Sequence, residues 1–138
     1  MPSYIQSGTI EGYVLCDSAA DYKTTSKIGY LVKIHATQTN NFRPTVTLAA
    51  AETDLCPFVI VDTPSTSTVI CQPLTPNRNV YLIAGGAITA GNACGVIAGG
   101  KVGPTLNSRD AAIGFAENAA AGTDDWVAVR PVGGFYNT

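Results

Sequence analysis

Charge is scarce in this chain. Lys, Arg, Asp and Glu together make up 13% of its 138 residues, where an ordinary soluble domain carries roughly 25%. The eight Lys and Arg are scattered singly, and the net charge is −2. A nucleic-acid binder gathers its cations on one face to meet phosphate, so no nucleic-acid partner is expected. Histidine occurs once, as His35, and the four cysteines (Cys16, Cys56, Cys71 and Cys94) form no C-x-x-C pair. Zinc sites draw on such spacings, so neither a metal nor a cofactor is expected. No apolar run reaches the roughly 18 residues that a bilayer-crossing helix needs, and no membrane role is expected. The opening residues, MPSYIQSGTIEGYVLC, lack the basic and apolar regions of a secretion signal. Free thiols behaving as small buried hydrophobes are therefore the expectation for the cysteines.

What remains is a mildly apolar chain, mean hydropathy +0.17, whose surface must be covered by Thr, Ser, Asn and Ala or by other chains. Exposed apolar patches mark interaction sites, so these bulk properties point to a subunit of an assembly. The length suits one β domain over residues 1–138, with residues 1–9 and 133–138 as candidate extended arms.

One stretch imitates a nucleotide site. GVIAGGKV, residues 95–102, has the glycine, four residues, glycine, lysine of a P-loop. A P-loop then needs Ser or Thr for magnesium and a helix start for phosphate. Val102 occupies the first place, and Gly103 and Pro104 oppose the helix. The glycines read instead as a two-residue hairpin turn at Gly99-Gly100, with CGVI entering and KV leaving.

Elsewhere the apolar residues come in short runs bounded by Gly, Pro, Asn, Asp and Thr, which is strand patterning. Candidate strands lie at 12–16, 29–34, 45–50, 58–62, 68–72, 80–83, 93–97, 113–116 and 126–130. Only AENAAAG has helix composition, enough for a single turn ending at Gly122. The fold class expected is all-β: a compact antiparallel sandwich or barrel with at most one short helical turn.

The chain also carries a candidate internal repeat. Residues 57–74, PFVIVDTPSTSTVICQPL, and residues 113–132, IGFAENAAAGTDDWVAVRPV, share a layout. Each has a Phe-containing apolar strand (Phe58, Phe115), a polar loop and an alternating strand ending in Pro73 or Pro131. Upstream, KIGYLVKI and TAGNACGVI each place a glycine ahead of a short apolar run. Two such copies can cover each other's apolar faces, which a lone hairpin cannot do. Shared strand composition is the alternative explanation.

No catalytic constellation stands out. A Ser–His or Cys–His scheme must use His35, which continues a strand beside Val32 and Ile34 and reads as a polar-face residue. The acid pairs Glu52/Asp54 and Asp124/Asp125 fall in loops, where carboxylates form turns. Asp110 and Glu117 flank the strand AIGFA without a feature that singles them out. Tyr4, Tyr13, Tyr22 and Tyr30 cluster in the first third, and Phe135 and Tyr136 lie near the C-terminus. Tyr and Phe near a chain end are candidate anchors to a neighbour or, alternatively, caps on the ends of the sandwich. The single tryptophan, Trp126, is expected in the core.

From residue 80 onward the chain resembles a known family. VYLIAGGAITAGNACGVIAGGKVGPT, followed by AIGFAENAAAGTDDWVAVRPVGG, is similar to small phage capsid decoration proteins, also called cement proteins, with a β-tulip-like fold. The shared layout is a strand, Gly86–Gly91 as GAITAG, the turn Gly99-Gly100-Lys101-Val102, then IGFA at 113–116 and WVAVRPV at 126–132. The resemblance covers about the last 40% of the chain well. IGYLVKI and CPFVIVD fit the same module more loosely. It implies a non-enzymatic virion protein, made in the host cytoplasm and placed on the outer capsid surface. There homotrimers clamp neighbouring copies of the major capsid protein. It also implies a terminal arm that reaches along the capsid, for which Tyr4 and Ile5, or Phe135 and Tyr136, are the candidate contacts. A β-sandwich binding module of a phage fibre or tail, reading a receptor or carbohydrate with exposed aromatics and loop amides from segments such as residues 37–43, is the alternative, and a hydrolase the third reading.

Overall fold

The structure, a computed structural model, describes residues 12–76, 78–104 and 111–132. Their short β-branched runs form ten strands: β1 (Val14–Ser18), β2 (Leu31–Ile34), β3 (Thr45–Leu48), β4 (Phe58–Ser65) and β5 (Thr68–Pro73), then β6 (Val80–Ile83), β7 (Ala93–Val96), β8 (Val102–Pro104), β9 (Ala112–Ala116) and β10 (Trp126–Pro131). No helix occurs among the described residues, and the all-β expectation holds. The arm residues Tyr4, Ile5, Phe135 and Tyr136 lie outside the described residues.

The first five strands close into a barrel in the order β1-β3-β2-β4-β5, with β5 returning to β1. Every neighbouring pair is antiparallel except β1–β3, which is parallel. An odd number of strands in a ring cannot alternate direction all the way round, so one parallel pair is a geometric necessity. The second five form a sheet in the order β6-β10-β9-β7-β8. Its ends meet through a parallel bridge between Ala84 and Val102, which makes it a second, more lightly closed barrel.

The two barrels have one topology. Substituting β6 to β10 for β1 to β5 converts the first ring order into the second, parallel closure included. The hydrogen bonds repeat as well. Gly29 N donates to Ile60 O at 2.8 Å and Gly91 N to Ala116 O at 2.8 Å. Ser18 N donates to Ser67 O at 2.9 Å and Ala84 N to Asp125 O at 2.8 Å. Leu74 N donates to Pro57 O and Val132 N to Ile113 O, both at 3.0 Å. Such agreement in register marks an internal duplication that reaches beyond the two segments similar in sequence. Equivalent positions fill the two interiors: Cys16, Val32, Val46, Ile60, Val69 and Cys71 in the first, and Leu82, Cys94, Val102, Ala116, Val127 and Val129 in the second. Volumes compensate, Leu82 for Cys16 and Ala116 for Ile60, which keeps each core close to full.

Pairing corrects the alignment of the copies by one residue. Phe58 pairs with Pro73, but Pro131 pairs with Gly114, while Phe115 pairs with Arg130. Phe115 is thus the counterpart of Val59, not of Phe58. Because strand side chains alternate between faces, that slip sends Phe58 toward the first barrel's interior and leaves Phe115 outside, 41% exposed.

Three further expectations change. The Gly99-Gly100 turn is a three-residue loop: Ile97 N donates to Lys101 O at 3.0 Å and Gly100 N to Ile97 O at 3.3 Å. Both glycines hold positive φ, 88° and 84°, as tight turns of this kind demand. AENAAAG makes no helical turn. Ala120 exchanges both backbone hydrogen bonds with Ile88, and Asn118 Oδ1 accepts from Ala128 N at 2.7 Å. These long-range partners outweigh a helix too short to sustain itself. Trp126 is not core but 51% exposed, for it starts β10 on the outward side while Val127 and Val129 point inward.

The barrels dock through different faces. Leu31 and Val59, outside the first barrel, join the core of the second. Around them Leu31 N donates to Gly100 O at 2.6 Å, Gly99 N to Ala49 O at 2.8 Å and Ile83 N to Gly29 O at 3.0 Å. The first barrel contributes its β2–β4 face. The second contributes its β7–β8 turn and the strand ends carrying Ile83 and Trp126.

Candidate interaction surfaces

Most of the residues weighed for chemistry have structural partners. Asp54 accepts from Ala50 N and Ala51 N, at 2.7 and 3.0 Å, and pairs with Lys33 Nζ at 3.0 Å. Partial burial opposes its ionisation, but the Ala50 N–H, Lys33 and the Ala51 N–H outweigh burial and hold its carboxyl below the ordinary range. Asp125 caps Ala121 N and Gly122 N, and Asp124 pairs with Lys101 at 2.7 Å. Asn79 and Arg130 hold Glu117 as a carboxylate, with Arg130 Nη2 at 3.0 Å. Asp110 lies outside the described residues. His35 lies beside Thr37, on a shallow depression with Lys33, Ile34, Thr47 and Leu48. No cluster of three metal-ligating side chains exists among the described residues. All four cysteines are free and buried. Burial pushes the Cys56 and Cys94 thiols up to about 12 and about 11, and a hydrogen bond donated to Cys16, with burial, holds Cys71 protonated.

Three apolar surfaces stand out among the described residues. The first is a groove of about 330 Å³ where equivalent ends of the two barrels lie side by side. Pro57, Pro73 and Leu74 face Ile113, Pro131 and Val132 across it, their counterparts in the duplication, with Leu55 at the rim. Pro73 and Pro131 end their strands without an N–H to offer, and among the described residues no charged side chain lines the groove. An apolar side chain seated there gains about 1.5–3 kcal/mol from burial alone.

The second surface is the outer face of the second barrel. Tyr81 is 63% exposed and pairs across the strands with the small Ala128. Phe115 and the exposed Ala93 pair on the far side, next to the ion pair of Arg130 and Glu117. The Trp126 ring lies over Gly29, where no side chain intervenes.

The third is a single residue. Phe42 is 83% exposed, at the tip of a loop, residues 36–44, that is held on every side. Arg43 Nε donates to Asp17 Oδ1 at 2.7 Å, and Thr39 Oγ1 donates to Asp17 Oδ2 at 3.0 Å. Gln38 Oε1 accepts from Thr45 N at 2.8 Å, and Phe42 N donates to Asn40 Oδ1 at 2.7 Å. A loop so braced holds the Phe42 backbone in place, so contact there orders little further main chain. Phe42 is the aromatic of the loop segment 37–43, which the sequence offers to the binding-module alternative. One aromatic among turn formers was the only available signal.

No protein-family model matches the chain, and comparison with curated proteins finds no match.

Proposed function

We propose that this chain is a non-enzymatic structural subunit, a capsid decoration or cement protein that sits on the outside of a phage head and clamps neighbouring major capsid proteins. One observation carries the reading: a stiff, duplicated β body displays separate apolar surfaces on different sides, so each copy is suited to more than one neighbour. Weak contacts made many times over on a lattice give firm attachment without any single strong site. Low charge and small side chains between the apolar residues suit close packing. The motifs of the resemblance fall on consecutive parts of the second barrel: GGKV at the β7–β8 turn, IGFA in β9 and WVAVRPV in β10. The groove between Leu74 and Val132 is the surface offered to the capsid, with residues 1–9 and 133–138 as the candidate arms and a homotrimer as the unit bound.

Mass spectrometry of purified virions tests this. Hundreds of copies per particle are expected, and a handful would point to a fibre or tail part instead. Leu55→Asp and Val132→Asp, both at half-exposed positions, should lose binding to expanded capsids while remaining folded. Deleting both arms without weakening capsid binding would dispose of the arm contacts.

One observation favours the fibre or tail binding module: Trp126 and Tyr81 are half-exposed or more on a single face, and flat aromatic faces stack on sugar rings. Quenching of Trp126 fluorescence by a glycan, saturating with concentration, would support that reading over the capsid one.

A further inference from the structure

The duplication leaves one docking face of each kind unused. Within the chain, the β2–β4 face of the first barrel receives the β7–β8 turn of the second. The second barrel has its own copy of that face, and the first has its own copy of that turn. Ala93 stands where the first barrel has Leu31, and Phe115 where it has Val59. Leu31 and Val59 are fully buried, whereas Ala93 and Phe115 are exposed. The counterpart of the Ala98–Gly100 turn is the Phe42 loop, closed by His35 N to Thr45 O at 2.8 Å as the turn is by Ile97 N to Lys101 O.

We propose that a second copy of this chain fills these vacant faces, the Phe42 loop of one copy docking on the Ala93–Phe115 face of the next. Size complementarity supports the fit. Inside the chain a large residue, Leu31, meets the glycine pair of the turn, and a Cβ on Gly100 would lie 2.8 Å from Leu31 O. Between copies the sizes exchange: a small residue, Ala93, meets a loop that projects a phenyl ring. Gly91 supports it as well. It keeps the left-handed backbone of Gly29, φ 87° against 91°, but a Cβ there meets nothing within 4 Å, as befits a contact whose partner is another molecule. The contact is weaker than the internal one, because Arg130 and Glu117 stand where the first barrel has Gln72 and Val61. Faces that differ from each other make a head-to-tail association, which closes into a ring or grows as a filament. The contact does not depend on what the assembly decorates.

Light scattering and native mass spectrometry of the purified full chain, with Phe42→Asp and Ala93→Arg, test the proposal. Both positions are exposed, so both variants should fold and, at dilutions where the wild type is monomeric, share its melting temperature. Wild type should be oligomeric at about 100 µM, the range where weak interfaces populate, and each variant should be monomeric. Each variant retains one intact face, so an equimolar mixture should give a 1:1 heterodimer and nothing larger. A monomeric wild type, an oligomer that survives either substitution, or a mixture that stays monomeric would each overturn the proposal. A chain that assembles in this way yet is missing from virions leaves this contact standing and removes the capsid reading.

Discussion

Gly29→Ala and Gly91→Ala form a matched pair, because the duplication places the two glycines at one structural position. Each holds φ near +90°, and each donates its N–H at 2.8 Å to the β4 or β9 strand. Alanine in that backbone conformation costs about 1–2 kcal/mol at either site. Surroundings separate them. A Cβ on Gly29 would lie 2.6 and 2.8 Å from two atoms of the Trp126 ring and 2.9 Å from Ile83 Cγ1, while one on Gly91 meets nothing. Overpacking of this kind adds about 1–3 kcal/mol, so Gly29→Ala should be the less stable variant by that margin. In a chain of this length the gap corresponds to roughly 3–10 °C in melting temperature. Urea unfolding in a Phe42→Asp background, which removes any contribution from assembly, measures the difference. Trp126 is the only tryptophan, so its emission reports directly on the seat: Gly29→Ala should shift the folded-state spectrum and Gly91→Ala should not. Equal destabilisation with two unshifted spectra would refute the docking of Trp126 on Gly29, and with it the interface drawn between the barrels.

Ser18 Oγ is buried with no hydrogen-bond partner among the described residues, and the second barrel has Ala84 in its place. Ser18→Ala should therefore raise stability by about 1 kcal/mol in urea unfolding; a loss would reveal a hydroxyl contact. In Gly114, a Cβ would run into the Arg130 carbonyl and Pro131 of the paired strand. Backbone cannot step aside as a side chain can, so Gly114→Ala should cost more than about 3 kcal/mol, and a melting curve like wild type would contradict the β9–β10 pairing. The thiols should resist iodoacetamide at pH 8 in the folded chain and all react in denaturant, since reaction needs both thiolate and access; rapid native labelling of Cys56 or Cys94 would contradict their burial. The Asp54 carboxyl is held below its ordinary value, so its contribution is complete above the ordinary carboxylate range, about pH 4, and is lost as pH falls through the lower folded value. Asp54→Asn should be less stable at neutral pH and lose less on acidification; parallel pH profiles would count against the Lys33 and backbone contacts.

Local chemistry was legible in the chain alone. Short β-branched runs between turn formers announced an all-β fold, and nine of the strand positions lay close to those found. Val102 and Pro104 disqualified the P-loop, and of the loop acids Asp54 and Asp125 bind the N–H groups of their turns, as their positions implied. The second half of the duplication was visible from its prolines and from the glycines ahead of β2 and β7.

Facing, pairing and exposure were settled only by the tertiary structure. Phe58 and Phe115 hold matching places in the two sequence segments, yet their strands pair one residue apart, and a period of two turns one residue into opposite sides of a sheet. That slip puts Phe115 on the surface. Likewise Trp126 looks like core in an alternating strand until the strand's phase is known, and Phe42 looks like loop filler until Asp17, more than twenty residues away, is seen bracing it. The sequence determined which segments extend and where they turn. Which side of each strand met the interior, and which faces stayed bare for another chain, depended on partners remote in sequence that only the closed barrels bring together.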